Sequence, residues 1–251
     1  MNTGSRTRIA ILGLAIFGLM TASGLMQPAA AQLSPLMSQG LTMNETTTAN
    51  GKTTTSTTYF SGNATKRSSA DGQDSILRFD QEKIVTVDHK KKTYSEITFQ
   101  QLQEMVKKVT AGMPQDPEAM AAIQKMMGGS SAPLTVTKQG PGQAVAGYAT
   151  EKYLVTGPIE MEIWATPDLQ LPAAYYDAIK MRLPANPVLD MGKMYDAFKQ
   201  INGMAMKSVV KMKVMSMSIT TTTEVTSVQK GAIPPAAFEV PAGYKLVQEK
   251  F

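Results

Sequence analysis

The stretch Leu41–Phe60, LTMNETTTANGKTTTSTTYF, decides how the rest of this chain is read. Eleven-odd β-branched and aromatic positions flank one Asn50-Gly51 pair, and the stretch contains no Pro. Thr, Tyr and Phe suit a pleated, half-buried surface, and Asn-Gly is the strongest short hairpin signal because both turn residues need positive φ. The competing reading of a Thr-rich segment is a disordered, mucin-like stalk. The Asn-Gly pair and the lack of Pro favour the hairpin. Gly51-Lys52-Thr53 imitates the end of a phosphate-binding loop, but Thr46 stands where the upstream Gly is required, and a strand follows instead of a helix.

Outward from the hairpin, further short strands are expected at Ala64–Ser69, Ser75–Asp80, Lys83–Asp88 and Thr93–Ile97, with a turn at His89–Lys92. The period then changes. Phe99, Leu102, Met105, Val106 and Val109 recur at helical spacing. Gly112, Pro114 and Pro117 break that helix, and a second is expected over Pro117–Met127, where Met120, Ile123, Met126 and Met127 form an apolar stripe. Strands return at Leu134–Lys138, Ala144–Val155 and Ile159–Thr166. The last alternates cleanly: Ile159, Met161, Ile163 and Ala165 point one way, and Glu160, Glu162, Trp164 and Thr166 the other. Helical segments near Ala173–Arg182 and Val188–Ile201 precede long strands near Met204–Met215 and Met217–Val228. Runs of strands with inserted helices, and no regular β-α-β alternation, predict an α+β fold built on an antiparallel sheet.

The N-terminus reads as an export signal. Arg6 and Arg8 are followed by the apolar run Ile9–Met20, and Pro28-Ala29-Ala30-Ala31 ends in small residues. The run is short for a membrane span, which takes about 20 residues. The expected organisation is therefore a signal peptide over 1–31, a flexible leader over 32–40 and a single domain over 41–251. Cleavage near Ala31 would deliver a periplasmic or secreted protein.

Composition removes whole classes of chemistry. The chain has no Cys and one His, His89. Disulfides, thiol nucleophiles, lipoprotein anchoring through Cys, and Cys- or multi-His zinc sites are excluded. A hydrolase triad would have to use His89, beside Lys90-Lys91-Lys92 in an expected solvated turn, so replacing His89 is expected to leave folding intact. The formal net charge is +5, and two of those charges, Arg6 and Arg8, leave with the signal. That balance argues against nucleic acid and allows weak attraction to anionic membrane surfaces. Glu160 and Glu162 share a strand face at a spacing that could serve paired-carboxylate chemistry, but no companion motif accompanies them and a solvated face explains them.

Methionine is abundant, at 19 residues. Thioethers are soft ligands for Cu(I), and Met204, Met206, Met212, Met215 and Met217 cluster in sequence. Met212, Met215 and Met217 do not share one strand parity, so core or pocket lining by adaptable side chains is favoured over a copper site. No metal or other cofactor is expected.

Several segments together carry a resemblance: Ile84-Val85-Thr86-Val87-Asp88 with Lys92-Thr93-Tyr94-Ser95-Glu96, Ala146-Gly147-Tyr148-Ala149-Thr150-Glu151-Lys152-Tyr153, Glu162-Ile163-Trp164-Ala165-Thr166, and Phe238-Glu239-Val240-Pro241-Ala242-Gly243-Tyr244. The chain resembles a family of secreted bacterial proteins known only as a domain of unknown function, similar in layout to periplasmic lipoprotein carriers of the LolA/LolB type. The resemblance implies a curved antiparallel sheet, an open half-barrel, covered by a few helices with an apolar cavity between.

Two functions follow as expectations. One is a non-enzymatic carrier of a lipid or acyl chain, with Met105, Val109, Met120, Ile123, Met161 and Ile163 lining the cavity and transient contacts to a membrane surface or envelope protein. The other is a structural or interaction protein of the envelope in which the same residues fill a core. A cavity and a core use the same residue alphabet.

Overall fold

Asn50 and Gly51 both adopt positive φ, 51° and 75°, and turn strand β1 (Leu41–Ala49) into β2 (Lys52–Ser61). The pairing runs without slip from Leu41↔Phe60 to Ala49↔Lys52. The hairpin expected from the sequence is therefore present, and its two-residue turn leaves Gly51-Lys52-Thr53 with no phosphate cradle. The computed structural model describes residues 39–111, 116, 118–119, 134–157, 159–170, 196–214 and 217–248.

The strands β3 (Ala64–Ser69), β4 (Gln73–Arg78), β5 (Lys83–Asp88) and β6 (Thr93–Thr98) continue as an antiparallel meander. Helix α1 (Phe99–Ala111) follows β6 directly. Thr98 caps it: its hydroxyl accepts from the Gln101 N–H, and the Gln101 side chain accepts from the Thr98 N–H. On the other flank lie β7 (Thr135–Pro141), β8 (Glu151–Thr156), β9 (Glu160–Thr166), β10 (Met204–Val214) and β11 (Met217–Lys230). The pair β1–β11 joins the two flanks. A two-residue strand, β12 (Lys245–Leu246), closes the far edge. The strand order β12-β6-β5-β4-β3-β2-β1-β11-β10-β9-β8-β7 makes one open, curved sheet of 12 strands.

Three expectations change. The sheet is not wholly antiparallel, because β12 runs parallel to β6. The expected strand Ala144–Val155 begins only at Glu151. Ala146 and Gly147 take positive φ, 49° and 82°, and close a tight turn between Val145 and Tyr148. β4 starts two residues earlier than the apolar pattern suggests, because the turn at Asp71 and Gly72 sets its register. Of the helix expected over Pro117–Met127 only Glu118 and Ala119 are described, both helical; the helix expected over Ala173–Arg182, most of that over Val188–Ile201, and the signal peptide lie outside the described residues.

Each face of the sheet has its own covering. One face, here the core face, carries Leu41, Met43, Phe60, Tyr153, Val155, Met161, Ile163, Ala165, Met204, Met206, Val210 and Val225, clustered with Leu169, Phe198 and Ile201 from the segment between β9 and β10. The reverse face of β3–β5 is covered by the C-terminal segment. Phe238, in the short 3-10 helix Pro235–Phe238, packs with Ala64, Ile76, Val85 and Val87.

His89 belongs to that second arrangement, and this corrects the solvated-turn reading. It sits in the β5–β6 turn, but its Nε2 lies 2.8 Å from Asp74 Oδ2 and its Nδ1 2.8 Å from the Tyr244 hydroxyl. Lys66 Nζ reaches the same Asp74 oxygen at 2.8 Å. Burial pushes the Asp74 carboxyl up, but the hydrogen bonds from Lys66, His89 and Ser68 outweigh it and hold the carboxyl below its ordinary range. The C-terminal strap is thus tied to the sheet through Tyr244 and His89. His89→Ala is expected to lower stability by about 1–2 kcal/mol in denaturant unfolding, since it removes a partner from a buried carboxylate. An unchanged midpoint would restore the solvated-turn reading.

Candidate ligand-binding face

Register fixes which side chains share the core face. Across β8, β9 and β10 the rows are Val155–Met161–Val210 and Tyr153–Ile163–Ser208. Across β11, β1 and β2 they are Val228–Met43–Thr58 and Val225–Glu45–Ser56. A bulge at Asn44/Glu45 brings both Val225 and Val228 to this face. The face is therefore divided. Apolar rows fill the β8–β10 flank, the start of β1 and the end of β2. A hydroxyl-rich region follows, with Glu45, Thr47, Ser56, Thr58, Thr65, Ser95 and Thr221 all buried.

Of the six residues expected to line a cavity, Met161 and Ile163 stand side by side on β9, at 1% and 4% exposure, within the apolar cluster. Met105 is half-buried on α1, and Val109 lies in the same helix near its C-terminal end. Met120 and Ile123 lie outside the described residues. Met204 and Met206 are buried core residues, while Met212 and Met217 belong to the paired ends of β10 and β11. Among the described residues, no group of three or more His, Cys, Asp or Glu could hold a metal ion.

The covering segment is anchored by polar contacts. The Tyr153 hydroxyl donates to Glu151 Oε2 at 2.9 Å and accepts from the Asn202 backbone N–H at 3.3 Å. Burial pushes the Tyr153 phenol above its ordinary range. Gly203 sits where this segment re-enters the sheet, with φ 99°.

Glu160 and Glu162 lie on the reverse face in an ion-pair ladder, which fits the solvated-face reading. Glu162 pairs with Lys152 at 2.5 Å and Lys211 at 3.6 Å, and Glu160 pairs with Lys211 at 2.9 Å. The hydrogen bond from Lys152, opposed by modest burial, holds the Glu162 carboxyl below its ordinary range. Trp164 lies among them, with Lys152 Nζ 4.8 Å and Lys207 Nζ 5.5 Å from its ring. Half-exposed pairs of this kind contribute about 0–1 kcal/mol each, so they shape solubility more than stability.

The residues that sequence reading misses are Glu45 and Arg67. Arg67 Nη1 lies 3.3 Å from Glu45 Oε2, with Glu45 side-chain exposure of only 4%. Ser56 and Thr58 hydroxyls donate to the same oxygen at 3.4 and 3.3 Å. Burial pushes the Glu45 carboxyl up, and the Arg67 charge and the two hydroxyls offset this only in part. A signal was present: Glu45 has the parity of Leu41 and Met43, so an acid was due on the apolar side of β1. Its pairing with Arg67, two strands away, depends on register and is not visible locally.

A family model described as "Domain of unknown function (DUF4412)" matches residues 39–244. Among curated proteins, no relative matches the chain. Among solved structures, MucB in complex with MucA(peri) is 13% identical, with 85% of this chain and 58% of that chain covered and a TM-score of 0.39. The Pseudomonas aeruginosa MucA/MucB complex is also 13% identical, with 85% and 59% covered and a TM-score of 0.42. A DUF1329 family protein from Desulfovibrio piger is 10% identical, with 80% and 90% covered and a TM-score of 0.30. The chain spans about three fifths of the length of the MucB chains.

Proposed function

The chain belongs to the DUF4412 family, a domain of unknown function, and on that premise we propose that it is an exported, non-enzymatic protein of the periplasm or cell surroundings that carries a lipid or acyl chain. The observation that carries this reading is the core face itself. A single open sheet presents continuous apolar rows, Val155–Met161–Val210 beside Tyr153–Ile163, and among the described residues those from the segment between β9 and β10 that join the cluster, Leu169, Phe198 and Ile201, lie in no strand. Such a cover can part from the sheet without breaking a ladder of backbone hydrogen bonds. Burial of an acyl chain there would contribute about 0.8 kcal/mol per methylene, so a long chain outweighs the loss of a few side-chain contacts. Methionines at 161, 204 and 206 suit such a surface, because unbranched thioethers repack around ligands of different shape.

One observation favours the second reading, a structural or interaction protein of the envelope. Met161 and Ile163 are already almost wholly buried, in one apolar cluster with Leu169, Phe198 and Ile201. Organic extraction and mass spectrometry of the purified exported protein separate the two. Acyl lipid at a fixed ratio to protein supports the carrier; extracts free of lipid, from protein that also takes up no probe, favour the packed core.

Export is tested independently. N-terminal sequencing of the exported protein is expected to begin at Gln32. An intact Met1 held in the inner membrane would contradict it.

A further inference from the structure

The apolar rows of the core face end at a charged pair that the fold does not fully satisfy. Glu45 is 4% exposed, yet Arg67, Ser56 and Thr58 all address one of its oxygens, Oε2, at 3.3–3.4 Å. Among the described residues, Oε1 accepts no hydrogen bond. Arg67 forms an ion pair with Glu45 through Nη1; among the described residues its guanidinium makes no hydrogen bond and no other ion pair, and its side chain is 22% exposed. Burying a carboxylate costs several kcal/mol unless its lone pairs are filled, and two long hydrogen bonds and an ion pair at one oxygen do not fill them.

The surroundings favour a polar ligand group. By register, Arg67 lies in the row Met43–Thr58–Arg67–Ser75–Thr86–Ser95, and Glu45 in the row Glu45–Ser56–Ser69–Gln73–Asp88. Hydroxyls and one amide occupy both rows, and no second acid or base intervenes before Asp88 on β5. The apolar rows begin one position away: Met43 is two residues before Glu45 on β1, and Val225 is its partner on β11. Two residues along a strand is about 6.5–7 Å, so a molecule with an acyl chain on the apolar rows would set its polar end beside Glu45 and Arg67.

Resting on the carrier reading, we propose that Glu45 and Arg67 form a headgroup subsite for a zwitterionic phosphate ester of the ethanolamine type, its phosphate on Arg67 and its ammonium on Glu45 Oε1. Guanidinium N–H groups match phosphate oxygens in fork geometry, and Arg67 has donors to spare. A fatty acid or a purely anionic phosphate would use Arg67 but leave Oε1 unpaired and bring a second negative charge toward Glu45. An ammonium supplies the missing donor and offsets the carboxylate. The upward push on the Glu45 carboxyl follows from the same unfilled burial, and a bound ammonium would reverse it.

The full chain, purified from the exported fraction and delipidated, is titrated with three amphiphiles of equal chain length: lysophosphatidylethanolamine, lysophosphatidylglycerol and a fatty alcohol. Wild type is expected to bind the ethanolamine lipid at least about tenfold more tightly than the glycerol lipid, which at about 1.4 kcal/mol is one charge-assisted hydrogen bond. Arg67→Gln should weaken both phosphate lipids about tenfold or more and leave the alcohol unchanged. Glu45→Gln should erase only the ethanolamine preference. Arg67→Lys, which keeps the charge, carries the test if Arg67→Gln fails to fold. Equal binding of all three amphiphiles, unchanged in the variants, would overturn the subsite and leave the carrier standing. Binding of none would overturn both.

Discussion

Gly203→Ala is expected to destabilise the protein by about 4 kcal/mol or more, because the added methyl meets backbone. A Cβ at Gly203 would lie 1.9 Å from the Thr166 carbonyl oxygen and 2.8 Å from Pro167 Cα. Both are backbone atoms, so no side chain can swing away, and φ at this position is 99°, outside the range that L side chains favour. The strain falls where the covering segment re-enters β10, so the ends of β9 and β10 must separate. Gly243→Ala is the control. Its φ is 83°, but nothing lies within 4 Å of the added carbon, so only the left-handed backbone cost of about 1–2 kcal/mol applies. Equal midpoint shifts for the two variants in urea unfolding would show that the close approach to Thr166 contributes nothing.

Ile163→Asp is expected to cost at least about 4 kcal/mol and to leave little folded protein. The substitution removes a buried side chain worth about 1.5–3 kcal/mol and introduces a carboxylate where Tyr153 and Ser208 are the cross-strand neighbours. Ile163→Val, by contrast, should cost about 1 kcal/mol, the usual penalty for one lost methyl in a close-packed site. The pair gauges how firmly the covering segment presses on the sheet. A well-folded Ile163→Asp protein would mean that water reaches this face freely, and the core would then not be where the burial of Met161, Ile163 and Ile201 places it.

Much of the sheet could be read locally. Asn50-Gly51 specifies its own turn, the bounds of β3 and β5 are those expected from the sequence, and Ile159–Thr166 declares its two faces. The segment at 144–150 misled because Val145 and Tyr148 look strand-like, whereas Ala146-Gly147 spends them on a turn. β12 has no local signal: two residues become a strand only because β6 offers an open edge. His89 illustrates the same limit. Three neighbouring lysines mark an exposed turn, but its partners Asp74 and Tyr244 lie 15 and 155 residues away. The candidate face was half legible. Met161 and Ile163 follow from β9 alternation alone, while Glu45 and Arg67 meet across an intervening strand and need the register of the whole meander.

The account stands on the core face opening to an acyl chain. Its most direct test is a titration of the delipidated, folded, exported protein with a fluorescent fatty-acid probe, with folding verified by a cooperative urea transition before and after. Saturable uptake at a fixed ratio to protein, competed by unlabelled lipid, is the predicted result. A folded protein that takes up no probe at any concentration below the probe's own aggregation would contradict it.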